Sequence, residues 1–537
     1  MATLINSHSK THWLKLALGL WGFYFIAKLG LYWAGFIGFH AWENLAFAVF
    51  ILIPVNHLLI LKIKQATTLV LAVGLLYYDS WLPPASRVWE QAAQLSQFSA
   101  AYIVELLLRF ISLPVLVALL VAGVIYALIS RWLRLDVLVI LAMLAVAGVE
   151  FFSSPAPLKV APKQFIDDEE SLMLSGEGVD KNQAVQQFLQ RESARAVFFP
   201  APKLSEQPFD IIFMQVCSLS WDDLQVMGLA QHPLWQRFDI LLTRFNSAST
   251  YSGPAAIRMQ RAACGQAAHD ALYVDAPDKC YLMSNLQRAG FEPALVLNHN
   301  GQFDHFLKTV QTLGRLSVQP MPLSGAAVVQ HAFDGTPIYD DFSVLMRWLK
   351  SRQQSRAPRV AMYYNTISLH DGNRLLHVDK KPTDNDSYKI RLTKFLDDME
   401  KFMHNLEQSG RRAVVVMVPE HGAAVRGDKM QMAGLREIPS PAITRVPVGI
   451  KIIGNNVQRD GATLLIDKPT SYLAISYLIA RLVENTPYKT GHFSPTSYVK
   501  NIPTTLFLSQ NETIIMADFN GQYYLRQHDE TWHEYSE

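Results

Sequence analysis

Apolar positions are crowded into roughly the first 150 residues and thin out sharply afterwards. Within that region the runs 16–38, 44–61, 66–82, 111–130 and 135–152 are each about long enough to cross a hydrocarbon core as a helix, which predicts five spans. The first run, LALGLWGFYFIAKLGLYWAGFIG, is too long and too aromatic for a cleavable leader and lacks a small-residue cleavage site, so it is expected to remain as an anchor. Residues 87–110 mix apolar and charged positions at helical spacing, the pattern of an interfacial helix. Residues 154–208 read as a linker with prolines, the acidic cluster Asp167, Asp168, Glu169 and Glu170, and one helix at 180–196. From 209 to 537 the pattern changes. Short apolar runs at 210–216, 293–297, 359–364, 412–418 and 446–453 alternate with helical stretches, which predicts a largely parallel sheet covered on both faces. The expected architecture is therefore an α-helical membrane bundle over 1–153, the linker, and an α/β domain.

Charge gives the bundle a direction. Lys10, Lys15, Lys62, Lys64, Arg131 and Arg134 fall on one side of the predicted spans and Arg87 and Arg109 on the other, so the first side is expected to be cytoplasmic and everything after 153 periplasmic. Lys28 lies inside the first span, where pairing with another helix or snorkelling is favoured over a substrate role. The net charge of +2 gives no large single-sign field, so the composition points to lipid rather than to nucleic acid as a partner.

Open sheets bind ligands outside the carboxyl ends of their strands, and here polar chemistry follows almost every strand. Cys217 closes the first, His299 and Asn300 follow the second, His370 and Asp371 the third, and Glu420 and His421 the fourth. Thiolate, imidazole and carboxylate together make a ligand set that favours zinc over magnesium or calcium. Cys217, Glu420 and His421 would supply three ligands and leave a fourth position for a nucleophile. The segment STYSGPAAIR offers Ser252, which precedes Gly253-Pro254 at an expected helix N-terminus, where free amides favour an anion. Metal coordination would activate its hydroxyl; an ordinary helix-capping serine is the plainer reading. Of the three cysteines, Cys264 and Cys280 are 16 apart, a loop that a disulfide closes easily, with Cys217 then a thiolate candidate. Three buried, apolar thiols are the alternative.

The motifs VCSLSWDD, NSASTYSGPAAIR, NHNGQF, SLHDGN, VPEHGAAVRGDKMQMAGLREIPSP and VPVGIK, in this order and spacing, resemble the BcsG-type cellulose phosphoethanolamine transferases of enterobacterial biofilms. The similarity extends into the first span through FYFIAKLGLYWAGF and covers nearly the whole chain outside the linker. That family belongs to the alkaline phosphatase and sulfatase-like superfamily, so an alkaline phosphatase-like α/β domain is implied. The resemblance implies one Zn2+ ion held by Cys217, Ser252, Glu420 and His421, and a phosphoethanolamine adduct on Ser252. It also implies Tyr251, His370 and Arg436 shaping the substrate site and a Cys264–Cys280 disulfide, with His299 and Asn300 as further substrate-binding candidates. The implied donor is phosphatidylethanolamine and the acceptor the glucose 6-hydroxyl of cellulose, at the inner membrane beside cellulose synthase subunits. Lipid A phosphoethanolamine transferases, more distant, use threonine and an Asp-His pair; serine and Glu-His here argue against a lipid A acceptor. A phosphodiesterase or sulfatase-like hydrolase and a mainly structural subunit are the competing readings. The C-terminal TIIMADFNGQYYLRQ reads as an edge hairpin with no catalytic part.

Overall fold

The computed structural model describes residues 18–34, 36–55, 57–80, 113–153, 180–200, 207–376, 384–512, 514–527 and 531–536. The predicted interfacial helix at 87–110 lies outside them. The described residues fall into two compact units, one helical, up to residue 153, and one from residue 180 onward.

In the helical unit, each apolar run contributes a helix: α1 (Leu20–Trp33), α2 (Ala41–Leu52), α3 (Leu58–Asp79), α4 (Leu113–Ile129) and α5 (Leu135–Ser153). Their lengths differ from the expectation. Among the described residues one helix, Leu58–Asp79, is long and apolar enough to cross a membrane by itself, and Ala41–Leu52 is among the shorter apolar ones. The second run stops early because Pro54 forces Ile53 into an extended conformation. Helix resumes at Leu58, so residues 58–61 belong to α3. Lys28 is buried and paired: its Nζ donates to Asn44 Oδ1 at 2.7 Å and forms an ion pair with Asp79. Asp79 also accepts from Asn44 Nδ2 at 2.8 Å and contacts His40 Nδ1 at 2.7 Å, so one carboxylate ties α1 and α2 to the end of α3.

The second unit is built on a seven-stranded sheet of β1 (Asp210–Val216), β2 (Ile240–Asn246), β3 (Glu292–Leu297), β4 (Val360–Thr366), β5 (Ala413–Pro419), β6 (Arg445–Ile453) and β7 (Leu464–Ile466). The spatial order is β7-β2-β6-β5-β1-β4-β3, and all neighbours are parallel except at β6. Residues of β1 are buried on both sides, as a central strand covered by helices requires. On one face Ile211, Phe213, Val414 and Val416 pack with Ala256, Met259, Ile475 and Ile479 from helices α8 (Ser252–Gln260) and α11 (Tyr472–Glu484). On the other, Ile212, Met214, Val415 and Met417 meet Val344 and Trp348 of α9 (Asp341–Gln354) and Phe395 and Phe402 of α10 (Asp384–Gln408).

A four-stranded antiparallel sheet, β8 (Leu508–Asn511), β9 (Ile514–Phe519), β10 (Gln522–Arg526) and β11 (Trp532–Tyr535), follows. Its β9–β10 hairpin turns through Asn520-Gly521, both at positive φ (59° and 84°), as the Asn-Gly signal predicts. Helix α6 (Lys181–Ala194), in the region expected to be a linker, packs Val185 and Phe188 against Leu508 and Ile515 of this sheet. The region thus supplies an element of the α/β unit. Cys264 and Cys280 form a disulfide, leaving Cys217 a free, buried thiol.

Candidate active site

Because β1, β4 and β5 are parallel neighbours, their carboxyl ends place three turns side by side. The Cys217 amide donates to Thr366 O at 3.0 Å, the Glu420 amide to Val216 O at 2.9 Å, and the Leu219 amide to His421 O at 2.7 Å. Ser218 then bends the chain at φ +63°, a sparsely populated conformation of the kind found at functional turns. Helix α7 (Trp221–Val226) starts with a Ser220/Asp223 capping box. Asp223 Oδ2 accepts from the Ser220 amide (2.9 Å), Ser220 Oγ (2.9 Å) and the Ala423 amide (2.7 Å), so one carboxylate clamps the turn after β1 to the turn after β5. Gly422 is required beneath this clamp, since a Cβ there would lie 2.6 Å from Ser220 Oγ.

The fourth group arrives from β2, whose carboxyl end faces the same edge. Its segment 246–251 is held by β8. Asn246 Nδ2 donates to Leu508 O (3.0 Å), Ser509 Oγ to Asn246 Oδ1 (2.9 Å), and Arg258 Nε to Ser249 Oγ (2.9 Å). Ser252 then opens α8, where the first-turn amides have no helical acceptor.

Ser252 Oγ stands 3.5 Å from Cys217 Sγ, Sγ stands 4.0 Å from His421 Nε2, and that nitrogen stands 3.9 Å from Glu420 Oε2. Ligand atoms of Cys217, Glu420 and His421 all lie within 4.8 Å of one another. Tetrahedral zinc, with bonds of about 2.0–2.3 Å, needs donor atoms about 3.3–3.6 Å apart, so this set fits with small adjustments. The protonation pattern fits too. His421 Nδ1 lies 2.8 Å from Gly422 O, which only accepts, and 3.3 Å from Arg436 Nη1, which only donates; the shorter contact favours the proton on Nδ1, with the Nε2 lone pair facing the cluster. Glu420 Oε2 is buried with no hydrogen-bond partner among the described residues. Burial, reinforced for the thiol by Glu420, pushes Cys217 up to about 12, and burial pushes Glu420 up to about 7. Burial and the Arg436 charge hold His421 well below the ordinary imidazole value. A divalent cation would allow such a group to serve as thiolate, carboxylate and neutral imidazole ligands.

Arg436 reaches this cluster, its Nη1 donating to Ser218 Oγ at 3.1 Å and its guanidinium lying 5.7 Å from the Tyr251 ring centre. The Tyr251 phenol donates to Glu437 Oε1. Glu437 is held in turn by Asn511 Nδ2, 3.0 Å from its carbonyl oxygen and 3.3 Å from Oε2. His370 sits on the loop after β4, which Arg391 fastens by donating to Ser368 O (2.9 Å) and His370 O (3.0 Å). His370 Nδ1 lies 2.7 Å from Asp371 O, which leaves Nε2 as the basic nitrogen; burial and then Arg436 lower the ring to about 4.

His299 is not at this surface. It is buried behind Glu420, bonded to Asn365 and packed on Phe306. Asn300 is exposed and caps its own turn through the Gln302 amide (3.0 Å). Sequence reasoning did not single out Asp223, Asn365, Glu437 or Asn511. The Ser220-x-x-Asp223 spacing was a readable signal for the first. Asn365, a polar residue in the otherwise apolar strand VAMYYNT, was a weaker one.

Comparison with known proteins places the chain among relatives. Residues 168–532 match the family model of the cellulose biosynthesis protein BcsG C-terminal domain, and residues 21–148 match that of the BcsG N-terminal domain. The chain is 37% identical over 538 aligned positions to the cellulose biosynthesis protein BcsG of Escherichia coli strain K12, covering 96% of each sequence. The Salmonella typhimurium strain LT2 protein of the same name is also 37% identical with the same coverage. Among solved structures, it is similar to an alkaline phosphatase superfamily protein from Vibrio parahaemolyticus, with TM-score 0.46 and 10% identity over 67% of this chain and 92% of that one.

Proposed function

The chain belongs to the BcsG family, and on that premise we propose that it is a zinc-dependent transferase of cellulose biosynthesis. It moves phosphoethanolamine from phosphatidylethanolamine to the glucose 6-hydroxyl of cellulose through a covalent adduct on Ser252. The observation that carries this reading is the Ser252 hydroxyl, 3.5 Å from the buried free thiol of Cys217 at the mouth of a Cys-Glu-His ligand set.

One Zn2+ ion, held by Cys217, Glu420, His421 and Ser252, would lower the pKa of the serine hydroxyl and offset charge on the phosphoryl oxygens. The protein's own groups do the rest. Ser252 Oγ forms the bond to phosphorus while the bond from phosphorus to the diacylglycerol oxygen breaks, and that oxygen leaves with a proton as diacylglycerol. In the second half the cellulose hydroxyl forms the new bond, loses its proton, and Ser252 Oγ leaves. His370 Nε2 is the group for both proton transfers; its neutral ring requires that it act first through a proton gained from Ser252. Arg436 and the first-turn amides of α8 face the phosphoryl charge, and Tyr251 orders the adjoining wall. The helical unit, read as five inner-membrane spans with the catalytic unit in the periplasm, keeps the site beside its lipid donor and beside cellulose synthase subunits.

The test is a mass-spectrometric search for phosphoethanolamine on the Ser252 peptide after incubating the full-length protein and zinc with labelled phosphatidylethanolamine. The adduct is expected in wild type, absent in Ser252→Ala, and discharged by cello-oligosaccharide faster than by water. An adduct elsewhere, or none, refutes the mechanism; discharge by water alone would make the protein a hydrolase.

A further inference from the structure

Behind the ligand cluster, polar side chains of β4 and of the turn after β3 form a chain of hydrogen bonds with a single possible direction. It starts at the backbone. The Gly301 amide lies 3.2 Å from His299 Nδ1, and because an amide only donates, Nδ1 is the bare nitrogen and the ring proton is on Nε2. Nε2 lies 2.9 Å from Asn365 Oδ1 and so donates to it. With its oxygen engaged, Asn365 turns Nδ2 toward Glu420 and donates to Oε1 at 2.7 Å. Flipping the amide would set donor against donor at one end and oxygen against carboxylate at the other. The other carboxylate oxygen, Oε2, has no hydrogen-bond partner among the described residues and lies 3.9 Å from His421 Nε2.

We propose that His299 and Asn365 are positioning residues for Glu420, committing Oε1 to the protein and Oε2 to the metal ion. The proposal rests on the zinc reading above. Its consequence would be a carboxylate that offers the ion one oxygen, leaving a position for Ser252. The relay is built rigidly. Asn365 sits within β4, paired with Gln215 of β1 and Leu297 of β3. Gly301 adopts φ +68°, where a Cβ would come 2.9 Å from Leu307 Cβ, so the turn that presents this amide needs glycine. His299, 6% exposed, is packed on Phe306 and acts through Glu420 rather than on substrate. Outer partners of this kind typically alter metal affinity by about 10- to 100-fold.

The experiment is a zinc titration of the full-length protein against a chromophoric chelator, with thermal melting as a control for folding. Asn365→Asp, which faces one carboxylate with another, is expected to weaken zinc binding by about 100-fold. His299→Gln keeps an N–H toward Asn365 and should bind within a few-fold of wild type, whereas His299→Glu, nearly the same size but an acceptor, should lose about tenfold or more. The proposal is overturned if Asn365→Asp and His299→Glu bind zinc like wild type while Cys217→Ser does not. If wild type and Cys217→Ser bind zinc equally, it is the metal reading itself that falls. Should the His299 variants fail to fold, Asn365→Asp decides alone.

Discussion

Asp223 touches no proposed ligand, yet its removal should disable the site, because it joins the turn carrying Cys217 to the turn carrying His421. Truncation to alanine strips the acceptor from the Ser220 and Ala423 amides, at 2.9 and 2.7 Å, both buried in the clamp. The Ser220 hydroxyl can rotate, and the Val425 amide at 3.4 Å contributes little. Two buried amides left unsatisfied cost about 1–3 kcal/mol each. Part of this is offset because a carboxylate that burial pushes up to about 6 is no longer held in the interior. A net loss of about 3 kcal/mol is expected. At an unfolding entropy of about 2.1 cal/mol/K per residue over roughly 370 residues, that lowers the melting temperature by about 4 °C. Scanning calorimetry of the full-length protein measures it, and adduct formation at 25 °C, well below melting, should drop by more than tenfold as the two turns separate. A variant that melts within a degree of wild type and labels Ser252 at the wild-type rate would refute the reasoning. The pH dependence has a definite sign. Folding raises the Asp223 pKa from 3.8 to about 6, so the folded state binds the proton more tightly. Wild type therefore gains stability relative to Asp223→Asn as pH falls from about 6 toward 4, and loses that gain as pH rises through 6.

Asp79→Asn should destabilise the helical unit by about 3–5 kcal/mol by leaving the buried Lys28 ammonium without its counter-charge, and Lys28→Met with Asp79→Leu should recover most of it; unfolding in mixed micelles reports both. Replacing Cys264 and Cys280 by alanine frees a 16-residue loop and should cost about 3 kcal/mol in denaturant titrations. Glu437→Gln should leave melting unchanged but slow adduct formation about tenfold, since the Tyr251 phenol then meets a neutral acceptor; rapid-quench labelling separates this from a change in lipid affinity.

The central strands were legible because a strand buried on both faces must be a continuous apolar run, as DIIFMQV is. β2 escaped because Thr243 and Arg244 interrupt ILLTRFN. Helices in the first region showed through hydropathy, but their ends depend on local events such as Pro54, and Asp79 at the end of α3 gave no hint that it answers Lys28. At the site, Cys217, Glu420 and His421 were readable because a polar residue directly after an apolar strand marks the ligand edge. Ser252 alone read as a helix cap, and its distinction came from resemblance until the 3.5 Å approach to Cys217 gave it a physical basis. Glu437 and Asn511 were hidden, and Asn365 only faintly marked, for a common reason: each works through partners distant in sequence, and nothing local encodes those pairings. β8, the strand just before the segment read as an edge hairpin, supplies Asn511 to the Tyr251 wall.

That last tie bears on how the protein is made. Ser252 and its neighbours leave the ribosome some 250 residues before β8 does, yet some of the hydrogen bonds that hold the segment 246–251 run to Leu508, Ser509 and Gln510. A half-translated chain would carry Ser252 without the strand that helps to hold its segment. On the proposed mechanism β8 would act as a latch, and a chain truncated before it is expected to form little or no adduct on Ser252.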